Sequence, residues 1–205
     1  MIRLAASHPA WVVGFQDEVW WSRLAQPAQH SWAEPDRPLR LVEQAVAKGD
    51  PDPKALACYG LLLRSATEGG GWREETWLRF VDGRPVSAVT TEYLARCCAR
   101  LQAAGKEALL LVWDDAPWHV SRAVRTWIRA HNRRVKRGGR GVRIVTCYLP
   151  IKSPWLNPIE PKWVHGKRRV TEPARLLSAA ELIDRVYAAF ACDPQPVLAI
   201  PAEAA

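Results

Sequence analysis

The chain predicts an α/β fold: a mixed sheet, antiparallel strands first and parallel strands after, flanked by helices. Three observations lead there. Strand-length apolar runs separated by turn signals crowd the first 90 residues. Beyond them, segments with apolar residues at three- and four-residue steps alternate with short apolar runs. One of those runs, Ala108–Trp113, is continuously apolar, as expected for a strand covered on both faces. Strands first and strand–helix alternation second is the order of a mixed sheet with helices packed against it.

Each element has its own warrant. Ala10–Gln16 is a mostly apolar strand that ends at Asp17 and Glu18. Gln26–Pro38 is polar and proline-bearing, hence a loop, and Leu39–Val46 fits either a strand or a short helix. Lys48-Gly49-Asp50-Pro51-Asp52-Pro53 breaks the chain before a second core strand at Leu56–Leu63. After the flexible Gly69–Gly71, Thr76–Val81 reads as a third strand, and Asp82-Gly83 suggests a turn into a further strand at Arg84–Val89. Tyr93, Leu94, Cys97, Cys98 and Leu101 mark a helix capped by Thr90 or Thr91 and ended by Gly105. Val120, Val124, Trp127 and Ile128 mark the next helix, followed by a basic, glycine-containing loop from Arg133 to Gly141 and a strand at Val142–Leu149. A final amphipathic helix runs from about Ala179 to Phe190. Residues 1–192 read as one domain, and the small, proline-rich stretch 193–205 reads as a mobile tail.

Lys and Arg number 29 against 21 Asp and Glu, a formal charge of +8 with a pI near 9.6. That excess favours an anionic partner, and nucleic acid is the commonest soluble one. Five cysteines form no C-x-x-C pair, and an odd number without a signal peptide suggests reduced thiols in a cytosolic protein. No apolar stretch of 18 residues occurs, so the expectation is a soluble, cytoplasmic protein with no membrane partner.

The most informative segment is Leu149-Pro150-Ile151-Lys152-Ser153-Pro154-Trp155-Leu156-Asn157-Pro158-Ile159-Glu160-Pro161-Lys162-Trp163. Its prolines restrict the backbone, Asn157 is a good N-cap with Pro158 in the first helical position, and Glu160 falls in the first helical turn. The bland interpretation is a capping arrangement in which Glu160 bonds back to the Asn157 amide. Two other acids, Asp17 and Asp114, stand at strand ends, where open α/β sheets place their active sites. If those strands are neighbours, three carboxylates converge. Clustered carboxylates raise one another's pKa unless a cation neutralises them, and an oxygen-only ligand set suits Mg²⁺ or Mn²⁺. Two such ions about 4 Å apart can activate water, or a DNA 3′-hydroxyl, and stabilise the leaving oxygen of a phosphodiester.

Three ordered blocks carry a family resemblance. Phe15-Gln16-Asp17-Glu18, Val112-Trp113-Asp114-Asp115-Ala116-Pro117-Trp118-His119 and Leu149–Trp163 resemble the three acidic blocks of the DDE transposases of bacterial insertion sequences, in the branch related to mariner elements. The resemblance implies a ribonuclease H-like fold, with Asp17, Asp114 and Glu160 as catalytic metal ligands. It implies two Mg²⁺ or Mn²⁺ ions and DNA cleavage and strand transfer on transposon ends and target duplex. Joining two ends would suit a homodimer, although no segment reads as a dimer seam. Family members carry N-terminal helix-turn-helix modules; here the first acidic strand begins by residue 11, so the expectation is a catalytic domain alone, from a truncated or split reading frame. Asp115 stands where the family has Asn, and Asp114 is preferred over it as the ligand. The gap between the second and third acids exceeds the family's usual length, an excess most of which the Arg133–Gly141 loop explains. A non-catalytic DNA-binding remnant and a general ribonuclease H-like nuclease are the alternative readings.

Most of the supporting residues have more than one reading. His119 orients Asp114, contacts DNA or is a structural histidine, and Glu18 is a solvated or supporting neighbour rather than a ligand. Asn157 supports the Glu160 turn. Lys152, Lys162, Lys167, Arg168 and Arg169, with Arg137 and Arg140 of the basic loop, are candidate DNA contacts or a solvated basic surface. Trp155 and Trp163 are expected to pack rather than to stack on bases.

Overall fold

The computed structural model describes residues 5–24, 45–67, 71–172 and 175–199. The expected loop Gln26–Pro38 and nearly all of the Leu39–Val46 segment lie outside the described residues, as does the chain beyond Ala199.

Five strands form one sheet: β1 (Trp11–Ser22), β2 (Ala55–Ala66), β3 (Trp72–Val81), β4 (Ala108–Trp113) and β5 (Arg143–Tyr148). Their order is β3-β2-β1-β4-β5. The first three run antiparallel to their neighbours, and β4 and β5 join parallel to β1. Among the described residues, four helices cover the sheet: α1 (Ser87–Ala103), α2 (Arg122–Gly138), α3 (Glu160–Val170) and α4 (Ala179–Phe190).

The pleat divides the core in two. On one face Val12, Tyr59, Leu61, Leu109, Leu111 and Trp113 pack with Tyr93, Leu94, Cys97 and Leu101 of α1 and Val124 and Ile128 of α2. On the other, Val13, Phe15, Val19, Trp21, Leu110 and Val112 meet Trp163 of α3 and Leu182, Val186 and Tyr187 of α4. The continuous burial of β4 follows from its central place in the sheet.

Several expectations are corrected. β1 does not stop before Asp17; pairing with β2 carries it to Ser22, so both Asp17 and Glu18 lie within the strand. No strand forms at Arg84–Val89. The free edge of β3 is taken instead by Leu198, which bridges Val81 and accepts from the Asp82 amide at 2.8 Å. The stretch following Asp193 is held at two points, with Leu198 buried and Gln195 accepting from Arg79. α1 starts at Ser87 without a side-chain cap, and the Thr90 and Thr91 hydroxyls donate to the Val86 and Ala88 carbonyls inside the helix. The basic loop is mostly helix. α2 continues through Arg133–Gly138 and ends at Gly139 in the left-handed conformation (φ 63°), so the extra residues between the second and third acids lengthen a helix.

Candidate active site

Sheet register carries Asp17 and Asp114 to the same end of two neighbouring strands. The last paired residues of the parallel β1–β4 ladder are Phe15 and Val112, and each acid lies two residues further along the chain, Asp17 still within β1 and Asp114 just past the end of β4. With the period-two alternation of a strand, Asp17 joins Phe15 and Val19 on the face covered by α3 and α4. It is only 9% exposed. On the opposite side of β1 it pairs with Gly60 of β2, and a side chain there would collide with the Trp163 ring. The missing Cβ lets that indole lie over the strand and donate from Nε1 to Asp17 Oδ2 at 2.8 Å.

Glu160 reaches this region through a pinned turn. Leu149 N donates to the Trp113 carbonyl at 2.8 Å as the chain leaves β5, and a short 3₁₀ turn, Pro154–Leu156, follows. Asn157 is buried, and its Nδ2 donates to the Gln16 carbonyl at 3.0 Å, beside Asp17. The expected capping role is therefore corrected: Ile159 precedes the helix, no side chain caps it, and the Asn157 amide donates to the Pro154 carbonyl rather than to Glu160. Asn157 ties the loop to β1. Glu160 then opens α3, one turn before Trp163 and on the same side.

Glu160 is coupled to both of the other carboxylates. Burial pushes the Asp17 carboxyl up to about 7, with repulsion from Glu160 and Glu18 adding to it and the Trp163 bond opposing it. Glu160 is raised by burial first and by the charge of Asp114 second, while Lys167 and a hydrogen bond with Asp17 act the other way. Asp114 is held below the usual carboxylate range by its hydrogen bond to His119. Among the described residues, no group of three or more His, Cys, Asp or Glu side chains closes into a metal-ligating cluster. The donor set itself is carboxylate oxygen, and a buried acid whose ionisation is opposed by burial and two like charges fits a hard divalent cation as its missing counter-charge.

Glu18 and His119 occupy the other side of β1. His119 is fully buried and stacks on Trp113. Its Nδ1 meets Asp114 Oδ1 at 2.7 Å and its Nε2 meets Glu18 Oε1 at 3.0 Å. Glu18, far from solvated, also accepts from Gln16 Nε2 at 2.8 Å and from Trp118 Nε1 at 3.0 Å. With a carboxylate on each side, the His119 imidazole is lifted to about 9 despite its burial. Asp115 is exposed, and its charge adds to the upward shift that burial gives Tyr148, whereas the charge that reaches Glu160 is that of Asp114.

The basic candidates separate by position. Lys152, in the left-handed region at φ 58°, and Lys167 and Arg168 are exposed near the turn and helix that carry Glu160. Lys162 pairs with Glu74 at 3.0 Å, and Arg169 donates to the Ala189 carbonyl at 3.3 Å. Arg137 and Arg140 lie beyond the start of β5, at the opposite end of the sheet, so the fold does not bring them to the carboxylates. Trp163 packs as expected, at 3% exposure, but Trp155 does not: it is 72% exposed. Sequence reasoning missed Gln16, Trp118 and the hydrogen-bonding role of Trp163. Gly60, alone amid the apolar residues of β2, was the signal that another side chain approaches there.

A sheet in this order, with acids on β1 and just past β4, defines a domain of the ribonuclease H-like class. Comparison with known proteins makes the family explicit. The chain belongs to the DDE superfamily endonucleases, whose family model matches residues 12–183. The fold is similar to that in the Mos1 transposase paired-end complex with left transposon end (TM-score 0.57, 17% identity, covering 94% of this chain and 53% of that chain). It is also similar to the Mos1 mariner paired-end complex with Mn (TM-score 0.55, 16% identity, 90% and 49%) and to the complex with Mg (TM-score 0.53, 17% identity, 88% and 48%). This chain spans about half the length of those chains. No curated protein matches the sequence.

Proposed function

We propose that this domain is the catalytic part of a transposase of the mariner-related, insertion-sequence type, cleaving DNA strands and joining the freed 3′ ends to a target duplex. The observation that supports this most is the level register of Asp17 and Asp114 on adjacent parallel strands, with Glu160 electrostatically coupled to both. Asp17, Asp114 and Glu160 would hold Mg²⁺ or Mn²⁺. When bound, the ions supply activation of the attacking oxygen and stabilisation of the leaving one.

The chain's own residues prepare that site. Trp163 fixes one oxygen of Asp17, and Asn157 fixes the backbone next to it. His119 and the Ala116 amide both bond Asp114 through Oδ1, which leaves Oδ2 to face an ion. Lys152, Lys167 and Arg168 bind the phosphates of duplex DNA, giving affinity that falls steeply with salt and carries little sequence information. The terminal-end and target specificity, and the pairing of two ends by a dimer, would rest on parts of a longer protein or on a second copy.

Nicking of a supercoiled plasmid with Mn²⁺ tests the reading. Wild type converts plasmid to open circles, and Glu160→Gln lowers the rate by roughly 100-fold or more, as loss of a transition-state electrostatic contact does. Joining of a pre-cut 3′ end to a second duplex distinguishes a transposase from a nuclease that only hydrolyses. Nicking that survives Glu160→Gln at full rate would overturn the assignment.

A further inference from the structure

Three guanidiniums line one cavity at the outer edge of the sheet, on the face opposite Asp17. The cavity lies between the edge strand β3 and α1, measures about 270 Å³, and is lined by Trp77, Arg79, Tyr93, Arg96, Arg100 and Gln195. Arg100 lies over the Trp77 ring, 4.1 Å from its centroid, and pairs with Glu75 at 3.0 Å. Arg96 pairs with Glu92 at 2.7 Å. Arg79 differs from both. It is 8% exposed, its side-chain partner is the neutral Gln195 Oε1 at 3.1 Å, and its buried Nε makes no hydrogen bond. Among the described residues no carboxylate pairs with it.

A buried cation with an unmade donor is unfavourable unless an acceptor reaches it. Burial first, and the charge of Arg96 second, depress the Arg79 pKa. An anion rich in acceptor oxygens would complement this uncompensated charge. The planar guanidinium fork matches phosphate in both respects. The cavity, about 270 Å³, has room for a phosphate group.

The geometry points to a phosphate-binding site between β3 and α1, in which Arg79 and Arg96 hold one phosphate group remote from the carboxylate centre. It goes beyond the DNA-cleaving reading and stands independently of it, because Arg79 shares the sheet face of Trp77 and Val81 while Asp17, Glu160 and Trp163 lie on the other. The phosphate comes either from a nucleic-acid backbone passing over the β3 edge or from a small phosphate compound.

Thermal unfolding in inorganic phosphate, against sodium chloride of equal ionic strength, tests the site. Ligand binding to the folded state raises Tm with the logarithm of ligand concentration. Wild type shows that rise, and in Arg79→Met the phosphate affinity drops about tenfold or more, the loss expected for a charge-assisted bond. Arg96→Ala, on the helix surface, gives a second reading should Arg79→Met fail to fold, and it also weakens phosphate. Equal phosphate effects in wild type and Arg96→Ala, or no effect in wild type, overturn the proposal. Anisotropy titrations with a labelled duplex then separate the sources. A salt slope that falls by about 0.9 in Arg96→Ala assigns one DNA phosphate to the site. An unchanged slope together with lost phosphate stabilisation assigns a small phosphate compound.

Discussion

Asp17 carries the largest electrostatic cost in the candidate site, and its sign gives a pH prediction. Folded, the carboxyl keeps its proton up to about 7; unfolded, it releases it near 4. Between those values the folded state binds more protons, so stability falls as pH rises. His119 acts in the same direction over a higher window: its stabilisation is complete below about 6.5 and is lost as pH rises through about 9. Metal-free protein should therefore melt at a lower temperature at pH 9 than at pH 5. Asp17→Asn, which keeps an oxygen for the Trp163 indole, should melt higher than wild type above pH 7 and lack the lower limb of the decline, while losing nicking activity. Calorimetry in EDTA checks this, and a variant profile superimposable on wild type would remove burial of Asp17 as the cause. Added Mn²⁺ should raise the wild-type Tm more at pH 8 than at pH 5, since the ion and the proton compete for the same carboxylates.

At the scale of elements, the site depends on how closely α3 and the preceding turn approach β1 and β2. Gly60→Ala places a methyl group against the Trp163 ring and should cost about 1–3 kcal/mol, as overpacking does. The same change should weaken Mn²⁺ binding by shifting the indole that holds Asp17. Asn157→Ala leaves the Gln16 carbonyl without its side-chain donor, a loss of about 1–3 kcal/mol for a buried group. Urea titration measures both, and nicking by Asn157→Ala at wild-type rate would show that the loop is held by other contacts. How much of this was legible differs by element. The final helix, Ala179–Phe190, and the strand Ala108–Trp113 could be read to the residue, because amphipathic and continuous burial patterns are local. The end of β1 could not, since pairing with β2 supplies it. Nor could the helical state of Arg133–Gly138, where charged residues hide a periodicity that the contact of Asn132 with the Ile144 backbone sustains.

For the whole molecule, a charge of +8 gives general attraction to DNA, but position decides which cations matter. Lys167 and Arg168 lie near Glu160, whereas Arg137 and Arg140 lie at the far end of the sheet. The double variant Lys167→Ala/Arg168→Ala should reduce duplex affinity and lower its salt slope by about 1.8 if both cations meet phosphates. Arg137→Ala/Arg140→Ala should leave the nicking rate at saturating DNA unchanged. A rate loss in the second pair comparable with the first would place the bound duplex across the opposite end of the sheet.

The acidic blocks, their order and the alternation of strands and helices were enough to predict a mixed sheet with DDE-type acids, because motif spacing and hydrophobic period are local properties of the chain. Tertiary structure alone decided which partners each acid has. One-residue alternation along β1 sends Asp17 towards Trp163 and Glu160 and sends Glu18 towards His119, so adjacent acids in the sequence face opposite sides of the sheet. It also brought Leu198 to the edge of β3 and Gln195 to Arg79, contacts between residues over a hundred positions apart that no local pattern encodes.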